Sequence, residues 1–182
     1  KFKKKHNHLI FYLNNSIGFI YNDVRRFGFI KIIKMGQIKS NEHLSKLGPE
    51  PLNSAFNNKY LISILKKTKK NIKNFMMDQK YIAGLGNIYV NEILFSSSID
   101  PRKNANKLSK QEVAKIVSNT KKILIKSIQL GGSSIRDFNS VSGKTGLYQE
   151  NFAVYGRDGK SCKKRKCQGN IKRIYISNRS TF

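Results

Sequence analysis

The feature that most constrains the fold is Gly84-Leu-Gly86, set inside residues 75–95 between two stretches of helical spacing. Glycine admits positive φ and lets backbone come close to a ligand or a neighbouring segment, so a junction between two helices is expected here. Asn87 stands where the second helix should begin. Asn is a favoured N-cap, and the amides that open a helix form a natural anion site. Two readings fit: a tight helical hairpin and no more, or a hairpin whose second helix start grips an anion. A dinucleotide site is disfavoured, because a third glycine is missing and the preceding residues read as helix rather than strand.

Charge says which anion to expect. The 182 residues include 36 Lys and Arg against 10 Asp and Glu, a net charge of +26. Such a balance speaks of anionic partners, not of fold. Nucleic-acid phosphate is favoured over a membrane surface, since no long basic amphipathic helix with a rich apolar face is present. No apolar run reaches the ~18 residues of a membrane span, and no secretory signal opens the chain. Two cysteines exclude a disulfide scaffold and fit a cytoplasmic setting. The chain starts at Lys1 without a Met and stops at Phe182 just after a strand-like run, so it reads as a fragment of a longer protein.

Residues 8–13 and 17–22 are rich in β-formers around Asn14-Asn15-Ser16, a hairpin signal. A third strand is expected over residues 27–34. Between them, Asp23-Val-Arg-Arg-Phe-Gly28 reads either as a polar turn before a core Phe, or as a loop that aims guanidinium groups and an aromatic wedge at DNA. Residues 36–58, with Gly48-Pro-Glu-Pro51 as a stiff turn, form the boundary to a helical portion. A helix over residues 59–67 leads to Lys66, Lys67, Lys69, Lys70 and Lys73, a basic cluster beside the glycine turn that is either a solvated face or a backbone contact.

Ile99-Asp-Pro101 closes the second helix. Ser109-Lys-Gln-Glu112 is a capping box opening a long amphipathic helix to about residue 130. Val113, Ile116, Val117, Thr120, Ile123, Leu124 and Ile128 follow helical spacing and are expected in the core; Gly131-Gly132 stops the helix. Residues 133–149 are a polar loop too long for a simple turn, and residues 151–155 read as strand or turn. Last come Cys162-Lys-Lys-Arg-Lys-Cys167 and a strand over residues 171–176. The cysteines are either two unrelated thiols or half of a tetrahedral zinc site, which needs four ligands.

Taken in order, these blocks resemble the C-terminal two-thirds of the bacterial formamidopyrimidine-DNA glycosylases, over essentially the whole chain. The resemblance rests on Lys5-His-Asn-His8, Asp23-Val-Arg-Arg-Phe-Gly28, Leu47-Gly-Pro-Glu-Pro-Leu52, Gly84-Leu-Gly-Asn-Ile-Tyr-Val-Asn-Glu92, Gly131-Gly-Ser-Ser-Ile-Arg-Asp-Phe138, Val154-Tyr-Gly-Arg157 and Arg179-Ser-Thr-Phe182. It implies an α+β chain: the end of an N-terminal β-sandwich (residues 1–38), a helix–two-turn–helix domain with a lesion-capping loop (39–149) and an incomplete zinc ribbon (150–182). It implies a bifunctional glycosylase and lyase that excises oxidised purines and cleaves the strand by β,δ-elimination, acting as a monomer on double-stranded DNA from which the damaged base is flipped.

Residue by residue, the resemblance makes Arg25 and Phe27 fillers of the gap in the stack, and His6 and Arg26 contacts near the lesion. It makes Asn87, with Gly86 and the turn amides, a phosphate grip. Lys67, Lys69 and Lys73 become DNA contacts, although Thr68 stands where relatives often carry a lysine. Arg179 becomes a catalytic arginine of the second elimination. Cys162 and Cys167 become two of the four ligands of one Zn²⁺, spaced more widely than usual. The proline amine nucleophile and its neighbouring glutamate are not among these residues. Three other readings stand beside this one: a non-catalytic duplex-DNA-binding module, an endonuclease VIII-like glycosylase for oxidised pyrimidines, and a structural RNA binder.

Overall fold

Local caps start most of the helices. In this computed structural model, which describes residues 4–14, 18–38, 40–133 and 146–182, Asn57 accepts from the Tyr60 amide to open α2 (Asn58–Leu65), and Asn71 accepts from the Asn74 amide to open α3 (Ile72–Met77). The reciprocal capping box of Ser109 and Glu112 opens α5 (Lys110–Gln129), as the sequence predicts. Such caps satisfy amides that have no partner within the helix. A short α1 (Glu42–Ser45) precedes them, and α4 (Asn87–Ser97) lies between α3 and α5.

The chain divides into two compact units, Lys1–Asn41 and Glu42–Phe182. In the first, β1 (Asn7–Tyr12) and β2 (Gly18–Asn22) pair antiparallel, with an irregularity between Asn7 and Leu9. The hairpin's apolar residues sit on both faces, the pattern of a strand covered on two sides, yet Leu9, Ile10, Phe11, Phe19 and Ile20 are all exposed. The third strand expected over residues 27–34 does not form. Phe27, Phe29, Ile30 and Ile32 have the right propensities, but residues 27–34 are not assigned to a strand. A ladder needs a partner; propensity alone supplies none.

In the second unit α4 is central. Phe75, Met76, Ile82, Val90, Ile93 and Leu94 are buried together with Val113, Ile116, Val117 and Ile123 from α5. Thr120 is buried as the stripe predicts, and Leu124 packs partly against the core. Ile128 departs from expectation: it is 65% exposed, because the last turn of α5 overhangs a cleft of about 390 Å³ shared with Leu47, Leu52 and Leu124. Residues 151–155 form no strand: Asn151 ends a short 3-10 helix (Tyr148–Asn151), and bends and turns follow. Tyr89, Tyr148, Phe152, Tyr155 and Phe182 meet in successive tilted or edge-on pairs that run to the chain's last residue.

The strand predicted over residues 171–176 is shorter, β3 (Ile174–Ile176), and pairs with β4 (Arg179–Thr181). Ser177 and Asn178 form its two-residue turn at φ 49° and 57°, the left-handed pair that matches strand twist in a tight hairpin. The fold is α+β, and among the described residues no helix is long and apolar enough to cross a membrane.

Candidate nucleic-acid interface

The glycine turn is built by short-range bonds. Gly84 has φ +86°, open to glycine at little cost. Gln79, which carries no motif in the sequence, staples the turn: Oε1 accepts from the Gly84 amide at 2.6 Å, and Nε2 donates to the Leu85 carbonyl at 3.0 Å. Gly48 lies against the backbone of Tyr81, where a Cβ would collide, and its amide donates to Gln79 O at 2.9 Å. That close approach is why the stiff Gly-Pro-Glu-Pro turn begins with glycine.

Asn87 is not the N-cap. Gly86 holds that position in extended backbone, and Asn87 is the first helical residue. Its side chain is drawn elsewhere, with Nδ2 donating to the Ser180 carbonyl at 3.0 Å. The same carbonyl accepts from Lys73 Nζ at 2.9 Å, and Lys73 also donates to Thr181 Oγ1 at 2.6 Å. Asn74 donates to Ser177 Oγ at 2.8 Å, and Asn91 Oδ1 accepts from the Phe182 amide at 2.9 Å. Helices α3 and α4 thus clasp the β3–β4 hairpin by its turn and second strand. Arg179 is exposed at the start of β4, next in sequence to the Ser180 carbonyl that Asn87 holds.

The five lysines do not form one exposed cluster. Lys66, Lys67 and Lys69 face solvent, whereas Lys70 pairs with Asp78 at 2.7 Å. Lys73 is fully buried. Burial first, then the charge of Arg179, pull its ammonium down to about 8. Lys73, expected as a DNA contact, thus has its ammonium on β4, where it braces the strand that carries Arg179. Thr68 is likewise buried, accepting from the Lys70 amide at 3.2 Å.

Glu92 and Asn91 were missed, although polar residues amid the apolar run of α4 were the available signal. Glu92 is 2% exposed. Its carboxylate accepts from the amides of Ala153 (2.8 Å), Val154 (3.0 Å) and Tyr155 (2.8 Å), tying the segment that leads to the cysteines onto α4.

In the first unit, Arg25, Arg26 and Phe27 are all exposed; Phe27 is 77% so, with the Arg25 guanidinium 4.7 Å from its ring centre. The reading of Phe27 as a core residue fails. His6 ends a short helical turn, and its carbonyl accepts from the Asp23 amide at 3.0 Å. The Gly28 amide, followed by those of Arg25 and Arg26, holds the Asp23 carboxyl below its usual range.

The knuckle of residues 162–167 is closed by Cys162 N donating to Gly169 O at 2.9 Å and Cys167 N to Lys164 O at 3.1 Å. Both thiols are free. The Gly169 amide, then Cys162, and more weakly Lys164 lower the Cys167 thiol, which suits a thiolate donor. The pair fits half of a tetrahedral zinc site; among the described residues no cluster of three or more His, Cys, Asp or Glu completes it. Residues 140–145 of the expected lesion-capping loop lie outside the described residues.

A helix pair joined through a glycine turn, its second helix start clasping an arginine-bearing hairpin, defines a helix–two-turn–helix protein. Residues 47–139 match the family model of the formamidopyrimidine-DNA glycosylase H2TH domain. The formamidopyrimidine-DNA glycosylases of Roseobacter denitrificans and Oceanobacillus iheyensis are 41% and 40% identical over 179 and 178 residues, covering 98% of this chain in each case. A crystal structure of the MutM (Fpg) protein from Thermus thermophilus superposes with a TM-score of 0.90 at 30% identity, over 98% of this chain and 67% of that one. A complex of the Lactococcus lactis Fpg with an abasic-site-containing DNA gives 0.88 at 36% identity, over 98% and 65%. The chain belongs to the formamidopyrimidine-DNA glycosylase family. It spans 63% of the length of the two curated relatives.

Proposed function

We propose that this chain is the DNA-gripping part of a base-excision repair enzyme, a bifunctional glycosylase and lyase that removes 8-oxoguanine and formamidopyrimidines with β,δ-elimination. The observation that carries the reading is the clasp: Lys73 and Asn87 fix the Ser180 carbonyl, and so hold the strand that carries Arg179 against the helix that follows Gly86. A guanidinium on that strand and the free amides of the helix start are both groups that suit a phosphate oxygen. Lys67 and Lys69 add long-range attraction to the backbone. In the other unit His6, Arg25, Arg26 and Phe27 meet the lesion, with Phe27 entering the gap left by the flipped base.

The division into the end of a β-sandwich (1–38), a helix–two-turn–helix domain (39–149) and a zinc ribbon (150–182) belongs to the same proposal, as do a monomeric state and a place in the bacterial cytoplasm on nucleoid DNA. Cys162 and Cys167 would hold one Zn²⁺ together with two further thiolates, and the metal's part is to fix the ribbon, not to react. Arg179 would steady the phosphate whose bond breaks in the second elimination.

Duplex binding, followed by anisotropy with an abasic-site analogue, tests the reading. Tighter binding to the lesion duplex than to undamaged duplex is expected, and preference for an RNA hairpin overturns it. Borohydride trapping on 8-oxoguanine DNA separates enzyme from binding module. A covalent adduct is expected only when the N-terminal proline amine is supplied; none in its presence refutes the lyase assignment.

A further inference from the structure

Phe27 is an exposed aromatic side chain on a loop whose backbone is tightly held. Most of its surface is open, and one face lies under the Arg25 guanidinium. What fixes the backbone is one carboxylate. Asp23 Oδ1 accepts from the amides of Arg25 and Arg26, each at 3.0 Å, and Oδ2 accepts from the Gly28 amide at 2.8 Å. The Tyr21 hydroxyl donates to Oδ2 at 3.3 Å. Residue 23 is itself moored on both sides, through its amide to His6 O at 3.0 Å and through its carbonyl, which shares a hydrogen bond with His8 Nε2 at 2.8 Å.

The loop also contains a left-handed residue that is not glycine, Arg26 at φ 55°, an uncommon state that needs outside support. Gly28 leaves room for the arrangement, since a Cβ there would run into the Tyr21 hydroxyl and come within 3.1 Å of Asp23 Oδ2. The bonds to Asp23 therefore flank Phe27 on both sides in sequence.

We infer that Asp23 is the positioning residue of the wedge: its carboxylate holds the loop in the posture in which Arg25 and Phe27 enter a gap in the base stack, an inference that rests on the damaged-DNA reading above. Asp23 touches no base. It acts by removing the cost of ordering the loop on binding, which raises affinity only where the wedge has a gap to enter. Undamaged duplex, bound through phosphates, does not draw on it. Tyr21 serves the same end one step back.

The experiment compares the full chain with Asp23→Ala, Asp23→Asn, Tyr21→Phe and Phe27→Ala on two duplexes, one intact and one with an abasic-site analogue opposite 2-aminopurine. Anisotropy gives the ratio of affinities, and 2-aminopurine fluorescence reports whether a ring stacks beside the orphaned base. Asp23→Ala is expected to lower the lesion-to-intact ratio by about tenfold, the loss of about one net hydrogen bond. Asp23→Asn keeps an acceptor for the Arg25 and Arg26 amides and loses about threefold on the same scale. Intact-duplex affinity and salt slope should hold in both, which a general loss of folding would not allow.

If Phe27→Ala lowers the ratio while both Asp23 variants leave it unchanged, the positioning role is overturned and the damaged-DNA reading stands. If Phe27→Ala changes neither ratio nor fluorescence, both fall. Should Asp23→Ala fail to fold, Asp23→Asn and Tyr21→Phe carry the comparison, and wild-type ratios in both refute the inference.

Discussion

Replacing Glu92 with Gln probes a buried long-range tie between α4 and residues 153–155. Glutamine can keep one oxygen where Oε1 now accepts from the Val154 and Tyr155 amides, but its amino group then faces the Ala153 amide, which stands 2.8 Å from Oε2. A buried donor left without an acceptor costs about 2 kcal/mol, and two charge-assisted bonds made neutral lose about 0.5 kcal/mol each. Relief from burying a carboxylate works in the opposite direction. It is small here, because three amides already replace the lost water.

The expected net loss is therefore about 3 kcal/mol, and at ~2–4 °C per kcal/mol for a chain of this size Tm should fall by about 6–12 °C. Thermal melts followed by circular dichroism measure this, with Glu150→Gln at an exposed site as the control for removing a charge. A Tm within about 1 °C of wild type, or above it, would show that desolvation dominates and that the three amides do not hold the segment.

Arg179→Ala should weaken intact and lesion duplexes alike and make the salt slope shallower by about 0.9, the share of one phosphate; an unchanged slope places Arg179 off the backbone. Lys73, lowered from 10.5 to about 8, loses its proton in the folded protein before it does in the unfolded one. Its contribution to stability therefore rises with pH between about 8 and 10. In urea unfolding the stability gap between wild type and Lys73→Met should change across that window and stay flat below it; a flat gap throughout refutes the burial argument. Gly84→Ala meets no atoms within 4 Å, so its cost should be the left-handed backbone alone, about 1–2 kcal/mol. Gly48→Ala, which drives a Cβ into Tyr81 backbone, should lower Tm further than Gly84→Ala; the reverse order would show that the two turns do not pack as described.

What the sequence determined by itself was local. The capping box at Ser109 and Glu112 and the buried stripe from Val113 to Ile123 were legible, because a cap spans three residues and a helix face repeats within four. So was the turn at Gly84, and the series of motifs placed the chain in its family. Tertiary structure alone decided the rest. Nothing near Lys73 in sequence shows that its ammonium is spent on Ser180 and Thr181, more than a hundred residues away, or that Glu92 waits for the amides of residues 153–155. Residues 27–34 carry strand propensity and form no strand, since a ladder depends on a neighbour. Propensities and caps are written in adjacent residues, whereas burial, and the partner a buried charge must find, belong to the folded chain as a whole.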